Sequence, residues 1–210
     1  MGKAKKNGFR VEPVADGYKL TVDRGIENYS LNEILDYPSK YKITEIDFSG
    51  CNKLERIEGT SFSDYYDLER VNLSGCTSLE IIKGGAFSHC KKLKDVDCSG
   101  DESLENIWTS AFLCCESLVN VNLSGCKNLK NIHGGVFIGC SSLKELDVSD
   151  CPNVEIDDHA MNKKVKVIRE KAVEDEVSFD QLESKYGKRP PARTVKVRRA
   201  PARELGKDLK

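Results

Sequence analysis

The residues with most chemical potential in this 210-residue chain are its nine cysteines and three histidines. Paired thiols chelate zinc or cycle redox when a Cys-x-x-Cys spacing converges their sulfurs. That spacing is missing, and the closest pair, Cys114-Cys115, is adjacent. A nucleophilic thiolate needs a base beside it, and His89-Cys90 is the one place where the sequence puts the two together. The cysteine recurs 25 residues further on at Cys115 and again at Cys140, but no histidine recurs with it. A recurring thiol without its base reads as a small buried hydrophobe. His133 and His159 lie at other phases and form no ligand set. There is no phosphate loop ending in Gly-Lys-Ser/Thr, no His-Glu-x-x-His and no Gly-x-Ser-x-Gly elbow. The pairs Gly84-Gly85 and Gly134-Gly135 recur at one phase and read as turns. No catalytic residue, cofactor or metal is therefore expected, and an enzyme is not.

The elements that position these residues come from a repeat. Units of 25 residues begin at Ile43, Leu68, Leu93 and Leu118, and a truncated fifth begins at Leu143 and loses one residue before Asp157. Residues 43–161 are thus one periodic array. Positions 1, 4 and 6 of the unit are apolar between mostly polar neighbours, as in Leu68, Val71 and Leu73, which is the pattern of a strand with one buried face. Ser-Gly follows as a turn in four units, with Asp150 replacing the glycine in the last. Position 9 holds Cys51, Cys76, Asp101, Cys126 and Cys151. Apolar pairs such as Leu79 and Ile82 then return the chain to the core as a second extended segment or a turn of helix. Phe62, Phe87, Phe112 and Phe137 form an aromatic column that Met161 ends. A unit this short cannot enclose its own apolar face, so neighbours must stack around a continuous core.

The segment Leu-x-x-Val-x-Leu, with Leu79 through Cys90 as its sequel, resembles the leucine-rich repeat superfamily and its BspA-like subclass. The resemblance implies an α/β solenoid, a right-handed superhelix of parallel strands. It also implies a recognition or adhesion surface rather than a catalyst, and many BspA-like members are exported. No apolar run follows the basic start of this chain, so the expectation here is an intracellular, cytoplasmic protein, with a nuclear or assembly-associated location as a variant.

On such a solenoid the outward strand positions form the candidate partner surface: Glu45, Asp47, Glu69, Arg70, Asn72, Asp95, Asp97, Asn120, Asn122, Glu145 and Asp147. The fifth column alternates Asp and Asn throughout and could attract a basic partner, or serve as a solvated face bonded along the stack. Calcium needs several oxygens converging on one point, which parallel columns do not provide. Trp108, with His133 next in its column, is a second candidate contact, since an outward Trp often anchors an interface.

The flanks differ from the array. Residues 9–42 read as an N-terminal cap, a hairpin across Ala15-Asp16-Gly17 followed by a short helix from Ser30 to Pro38. Residues 162–187 read as a C-terminal cap with a terminal strand at Val165-Lys-Val-Ile and a short helix from Ser178 to Tyr186. Residues 1–8 and 188–210 are basic and expected to be disordered. The net charge of −1 hides this asymmetry, because the ends carry +3 and +7 while residues 9–187 carry 21 bases against 32 acids. Lys188, Arg189, Arg193, Lys196, Arg198, Arg199 and Arg203 in the tail could bind a polyanion by counterion release. The expected function is a non-enzymatic protein-interaction module, monomeric on its own and without a membrane span. The alternative is a structural component of a nucleic-acid-containing assembly, anchored by the tail on nucleic acid or on an acidic protein surface.

Overall fold

Alternating side chains make a strand, and the Asx-x-Ser-Gly sequence that ends it makes a corner; repeated every 25 residues, the two produce a coil of parallel strands. The computed structural model describes residues 4–6, 8–26 and 42–169. The capping strands are β1 (Ala4–Lys6), β2 (Phe9–Val14) and β3 (Gly17–Val22). The first strand of each unit gives β4 (Ile43–Asp47), β6 (Arg70–Asn72), β8 (Asp95–Asp97), β10 (Asn120–Asn122) and β12 (Glu145–Asp147). The second gives β5 (Arg56–Ile57), β7 (Ile81–Ile82), β9 (Asn106–Ile107), β11 (Asn131–Ile132) and β13 (Glu155–Ile156), and β14 (Lys166–Ile168) follows the array.

These strands form two long sheets. The first runs β1-β2-β3-β4-β6-β8-β10 and the second β13-β11-β9-β7-β5, while β12 and β14 pair by themselves. Within the array every pairing is parallel and in register by unit, Val71 against Val96 and Ile82 against Ile107. The second segment, expected as extended chain or helical turn, is extended in all five units. No helix occurs among the described residues, because each return path has only two residues of regular backbone before its next corner.

The hairpin across Ala15-Asp16 forms as expected, with β2 and β3 antiparallel. It then joins the array directly, since β3 pairs in parallel with β4 and thereby covers the otherwise open edge of the first unit. Residues 4–6 correct the expectation of a disordered N-terminus, because β1 adds antiparallel to β2. Main-chain pairing needs no apolar side chains, so a basic composition did not prevent it. The predicted helices from Ser30 and from Ser178, and the tail from Lys188, lie outside the described residues.

The core is built by column. Phe62, Phe87, Phe112 and Phe137 are all but fully buried and stack at centroid separations of 5.3, 5.4 and 5.7 Å with interplanar angles no greater than 12°. This offset stacking suits the ring quadrupoles. Each phenylalanine amide also donates to the next unit, Phe62 to Ala86, Phe87 to Ala111 and Phe112 to Val136. The column ends on a parallel bridge from Phe137 to Met161, where the sequence places its end.

Removing one ring from the middle of this column leaves a cavity that neighbours held at fixed register cannot close. Phe112→Ala is expected to cost about 3–5 kcal/mol, measured as a loss of unfolding free energy in urea at unchanged m-value.

Candidate functional site

The first sheet carries the candidate surface on its outer side. Position 5 of each unit does structural work before any other. The side-chain oxygens of Asp47, Asn72, Asp97, Asn122 and Asp147 each accept the amide of the serine two residues on, at 2.9 to 3.1 Å. This Asx turn ends the strand and starts the corner. The Ser149 hydroxyl and amide hold Asp147 below the usual carboxylate range. Asp47 is also lowered, because Lys19 at 2.7 Å and Ser49 outweigh the opposing effect of burial.

The remaining outward side chains pair along the stack, each with its counterpart one unit away. Arg70 bridges Glu45 at 3.3 Å and Asp95 at 3.7 Å, and Lys94 binds Glu69 at 2.7 Å. Asn120 donates to Asp95 at 2.6 Å and Asn122 to Asp97 at 3.0 Å. Glu145 meets Lys166 of β14 at 3.2 Å. The structure thus brings nine of the eleven predicted face residues onto the outer side of the first sheet, while Glu145 and Asp147 stand on β12, which pairs with β14. Thr44, in the same column as the outward Glu69 and Lys94, is buried, because β3 lies across it and its hydroxyl donates to the Tyr18 carbonyl.

Trp108 and His133 are not part of that face. They follow the second sheet's strands β9 and β11, where the rings stack at 4.7 Å and 24°. The indole stays 45% exposed, and His133 Nε2 is buried without a hydrogen-bond partner. The polyanion candidates Lys188, Arg189, Arg193, Lys196, Arg198, Arg199 and Arg203 lie outside the described residues.

Seven of the nine cysteines stand in two buried ladders, in which each thiol donates to the main chain of the preceding unit, or, for Cys51, of the cap strand β3. Cys76 Sγ reaches the Phe48 carbonyl at 3.2 Å and Cys126 the Cys98 carbonyl at 3.2 Å. Cys90, Cys115 and Cys140 reach Phe62, Phe87 and Phe112 at 3.1 to 3.2 Å. Cys90 therefore spends its proton on a carbonyl rather than on the adjacent His89, and burial pushes its thiol up to about 12. His89 takes up a left-handed conformation, φ 61°, as do Asp64, Cys114 and Gly139 in the same column. The pair Gly84-Gly85 shows why glycine recurs one turn earlier. Gly85 has φ 71°, and a Cβ on Gly84 would stand 2.9 Å from the Thr109 carbonyl. These are corner requirements, as the sequence pattern implies.

Asp101 breaks the first thiol ladder. Its Oδ1 accepts the Cys76 amide at 2.7 Å, while Oδ2 is buried without a partner. Burial pushes its carboxyl from the ordinary value of 3.8 up to about 8, against the lowering effect of that amide. No group of three or more His, Cys, Asp or Glu side chains able to hold a metal occurs among the described residues. No helix among them is long and apolar enough to cross a membrane.

The profile of the BspA type leucine rich repeat region matches residues 36–168 in six copies, more than half of the chain. The chain belongs to the BspA-type leucine-rich repeat family. No curated protein matches it. Solved structures similar to this BspA-type repeat protein include a leucine-rich repeat protein from Bacteroides ovatus, at 19% identity over 79% of this chain and 52% of that one, TM-score 0.38. The T. pallidum leucine-rich repeat protein is 19% identical over 79% of this chain and 86% of its own, TM-score 0.37. A leucine-rich cell surface protein from Faecalibacterium prausnitzii is 13% identical over 80% and 88%, TM-score 0.35. This chain spans about half the length of the B. ovatus protein.

Among the outward column positions, one apolar residue is not among the predicted contacts. Val119 is 49% exposed on β10's approach, in a column otherwise filled by Thr44, Glu69, Lys94 and Lys144. Its apolar side chain among polar column mates was the available signal.

Two outcomes follow for the BspA-type repeat. Between about pH 4 and pH 8 the native Asp101 keeps a proton that the unfolded chain has released, so stability falls as pH rises through that interval. Asp101→Asn removes that slope, and its melting temperature is expected to gain on the parent progressively from pH 5 to pH 8. Thiol titration of the native protein with a disulfide reagent should show one accessible cysteine, Cys114, with the eight buried thiols reacting only in denaturant.

Proposed function

We propose that this chain is a non-enzymatic protein-interaction module whose binding surface is the outer side of the first sheet, used most strongly toward β10 and β12. The observation that carries the reading is a gradient along that face. From β4 to β8 its charges are engaged with one another, Lys19 with Asp47, Arg70 with Glu45 and Asp95, Lys94 with Glu69. Desolvating such pairs costs free energy that a partner would have to replace. At β10 the face changes to the neutral amides Asn120 and Asn122, exposed though bonded back to Asp95 and Asp97, beside the apolar Val119; uncharged groups desolvate at lower cost and offer both hydrogen bonds and contact area.

The acidic character of the face, seven acids against three bases at the outward positions, suits a basic protein surface and repels nucleic acid. A polyanion-binding role would rest on residues 188–210 alone, as a separate proposal whose sign is salt-dependent retention on heparin that is lost when the chain ends at Gly187. Trp108 and His133 are proposed as an independent contact on the other sheet, with the imidazole stacked on one face of the indole.

Affinity capture from extract of the source cells, with the captured partner identified and its affinity then measured, tests the reading. Asn120→Arg/Asn122→Arg is expected to weaken that partner by at least about tenfold, while Trp108→Ala leaves it unchanged. Loss with Trp108→Ala and retention with the double variant would assign the surface to the second sheet instead.

A further inference from the structure

The first sheet is interrupted between β10 and β12. Asp150 replaces the turn glycine, and its carboxylate takes the Gly125 amide at 3.0 Å, where the repeat would place the Ser149 carbonyl. The fifth unit is also one residue shorter, yet β13 remains in register with β11, so the second sheet holds the unit while the first sheet parts. Beyond the break the repeat resumes. The Lys166 amide donates to the Lys144 carbonyl at 2.8 Å, as Asp95 does to Glu69, and the Val148 amide to the Ile168 carbonyl at 2.8 Å, as Phe48 does to Asn72. Strand β14 thus stands where a sixth unit places its first strand, and no second strand follows it among the described residues.

The array therefore ends on an unfinished unit. Lys166 and Ile168 turn main-chain groups to β12, so the N–H and C=O of Val167 point the other way, as do the Val165 carbonyl and the Arg169 amide. In the inner units these positions bond to the next unit, where the Glu69 carbonyl accepts Lys94 and the Leu73 amide donates to Asp97. On β14 none of these groups has a main-chain partner among the described residues. The core behind the edge is open as well. Val167 is 37% exposed, against 0% for Leu146 in the same column, and Ile156 and Met161 are half-buried where Ile132 and Phe137 are enclosed. Lys163 and Lys164 stand exposed at the start of the strand with no acidic partner among the described residues, and Lys166 meets Glu145 at 3.2 Å.

We infer that the outer edge of β14 binds an extended segment of a partner protein, with alternating acidic and apolar side chains, which adds as the next strand. An unpaired edge is a template for such addition, with main-chain bonds giving affinity and alternate side chains specificity. The segment needs only one neighbour, at the ordinary strand spacing of about 4.8 Å, so nothing in the array has to part to admit it. Its apolar side chains cover Val167 and the open core beside it, and its acids face Lys163, Lys164 and Lys166. The same lysines argue against a second copy as occupant, since two β14 edges paired together set like charges opposite one another. This surface is separate from the strand face proposed above, which lies on the outer side of the first sheet.

The test uses the full chain and the hexapeptide acetyl-Glu-Val-Glu-Val-Glu-Val-amide, with two controls: its lysine counterpart acetyl-Lys-Val-Lys-Val-Lys-Val-amide, and the acidic peptide N-methylated at every residue. In the free protein, residue-resolved hydrogen exchange should show the Val167 amide exchanging at least about tenfold faster than that of Lys166, and the acidic peptide should slow it. Both controls should bind at least about tenfold more weakly. Val167→Pro removes the outward N–H while leaving the bonds to β12, and Lys163→Glu/Lys164→Glu reverses the charge ahead of the strand; each should weaken the acidic peptide at least about tenfold, the second at an unchanged melting temperature. A Val167 amide as slow as that of Lys166 in the free protein means that this chain or a second copy already covers the edge, and overturns the inference. Equal binding of the acidic peptide and its N-methylated form also overturns it. Neither result touches the strand-face reading, which fails only if the Asn120→Arg/Asn122→Arg variant keeps its captured partner.

Discussion

Identical unit length is the constraint on which the rest depends. Because four successive units have 25 residues each, every group in one unit stands beside its own counterpart in the next, and any interaction that a side chain can make with a copy of itself is repeated along the core. Phenylalanine stacks on phenylalanine, asparagine bonds to aspartate or asparagine, and amides bond to carbonyls of the neighbouring unit. Groups that cannot pair with a like neighbour appear as opposite charges one unit apart, as in Glu58 with Lys83, Glu102 with Lys127 and Glu105 with Lys130. Such exposed pairs add little stability individually. They keep like charges from stacking.

The thiol ladders show how a chemically reactive residue becomes inert scaffolding. A column buried against the main chain of the preceding unit needs a small side chain that also satisfies a carbonyl, and cysteine does both with its weak S–H donor. Asp101 fits the same space and takes an amide instead, but its second oxygen then lacks a partner, and its carboxyl becomes easier to protonate than to ionise. The corner columns carry a different cost. Thr60 and Ser110 adopt φ of 58° and 62° where Gly85 and Gly135 stand in the other units, so those corners hold left-handed strain that glycine would not.

Much of this was legible because periodicity overrides local ambiguity. Leu68, Val71 and Leu73 alone are a short apolar pattern, but their recurrence at fixed spacing fixes a strand, its inward face and its parallel neighbours. The hairpin was legible from Ala15-Asp16-Gly17, and the end of the aromatic column from Met161. What the columns could not supply was any relation that a single unit does not contain. Whether the second segment was helical turn or strand depended on pairing with β5 to β13, and pairing of β3 with β4 joins the cap to the array. The interruption beside β12 had its signs in Asp150 and in the missing residue before Asp157. A substitution in a column states that a unit differs, while the direction in which the stack gives way is decided by which sheet keeps its register.

That interruption also bears on how the array comes apart. In a stacked chain, stability is roughly a sum of unit terms and couplings between nearest neighbours. The first four units are coupled through both sheets, the aromatic column and the thiol ladders. The fifth lacks the first-sheet bonds and keeps the second sheet, the Phe137–Met161 bridge, the Asp150 bond to the Gly125 amide and a longer contact of 3.8 Å from the Cys151 thiol to the Leu123 carbonyl. Its coupling constant is therefore the smallest in the row, and fraying should begin there, with β12, β13 and β14 detaching as one cooperative segment while the four-unit block and its N-terminal hairpin stay folded.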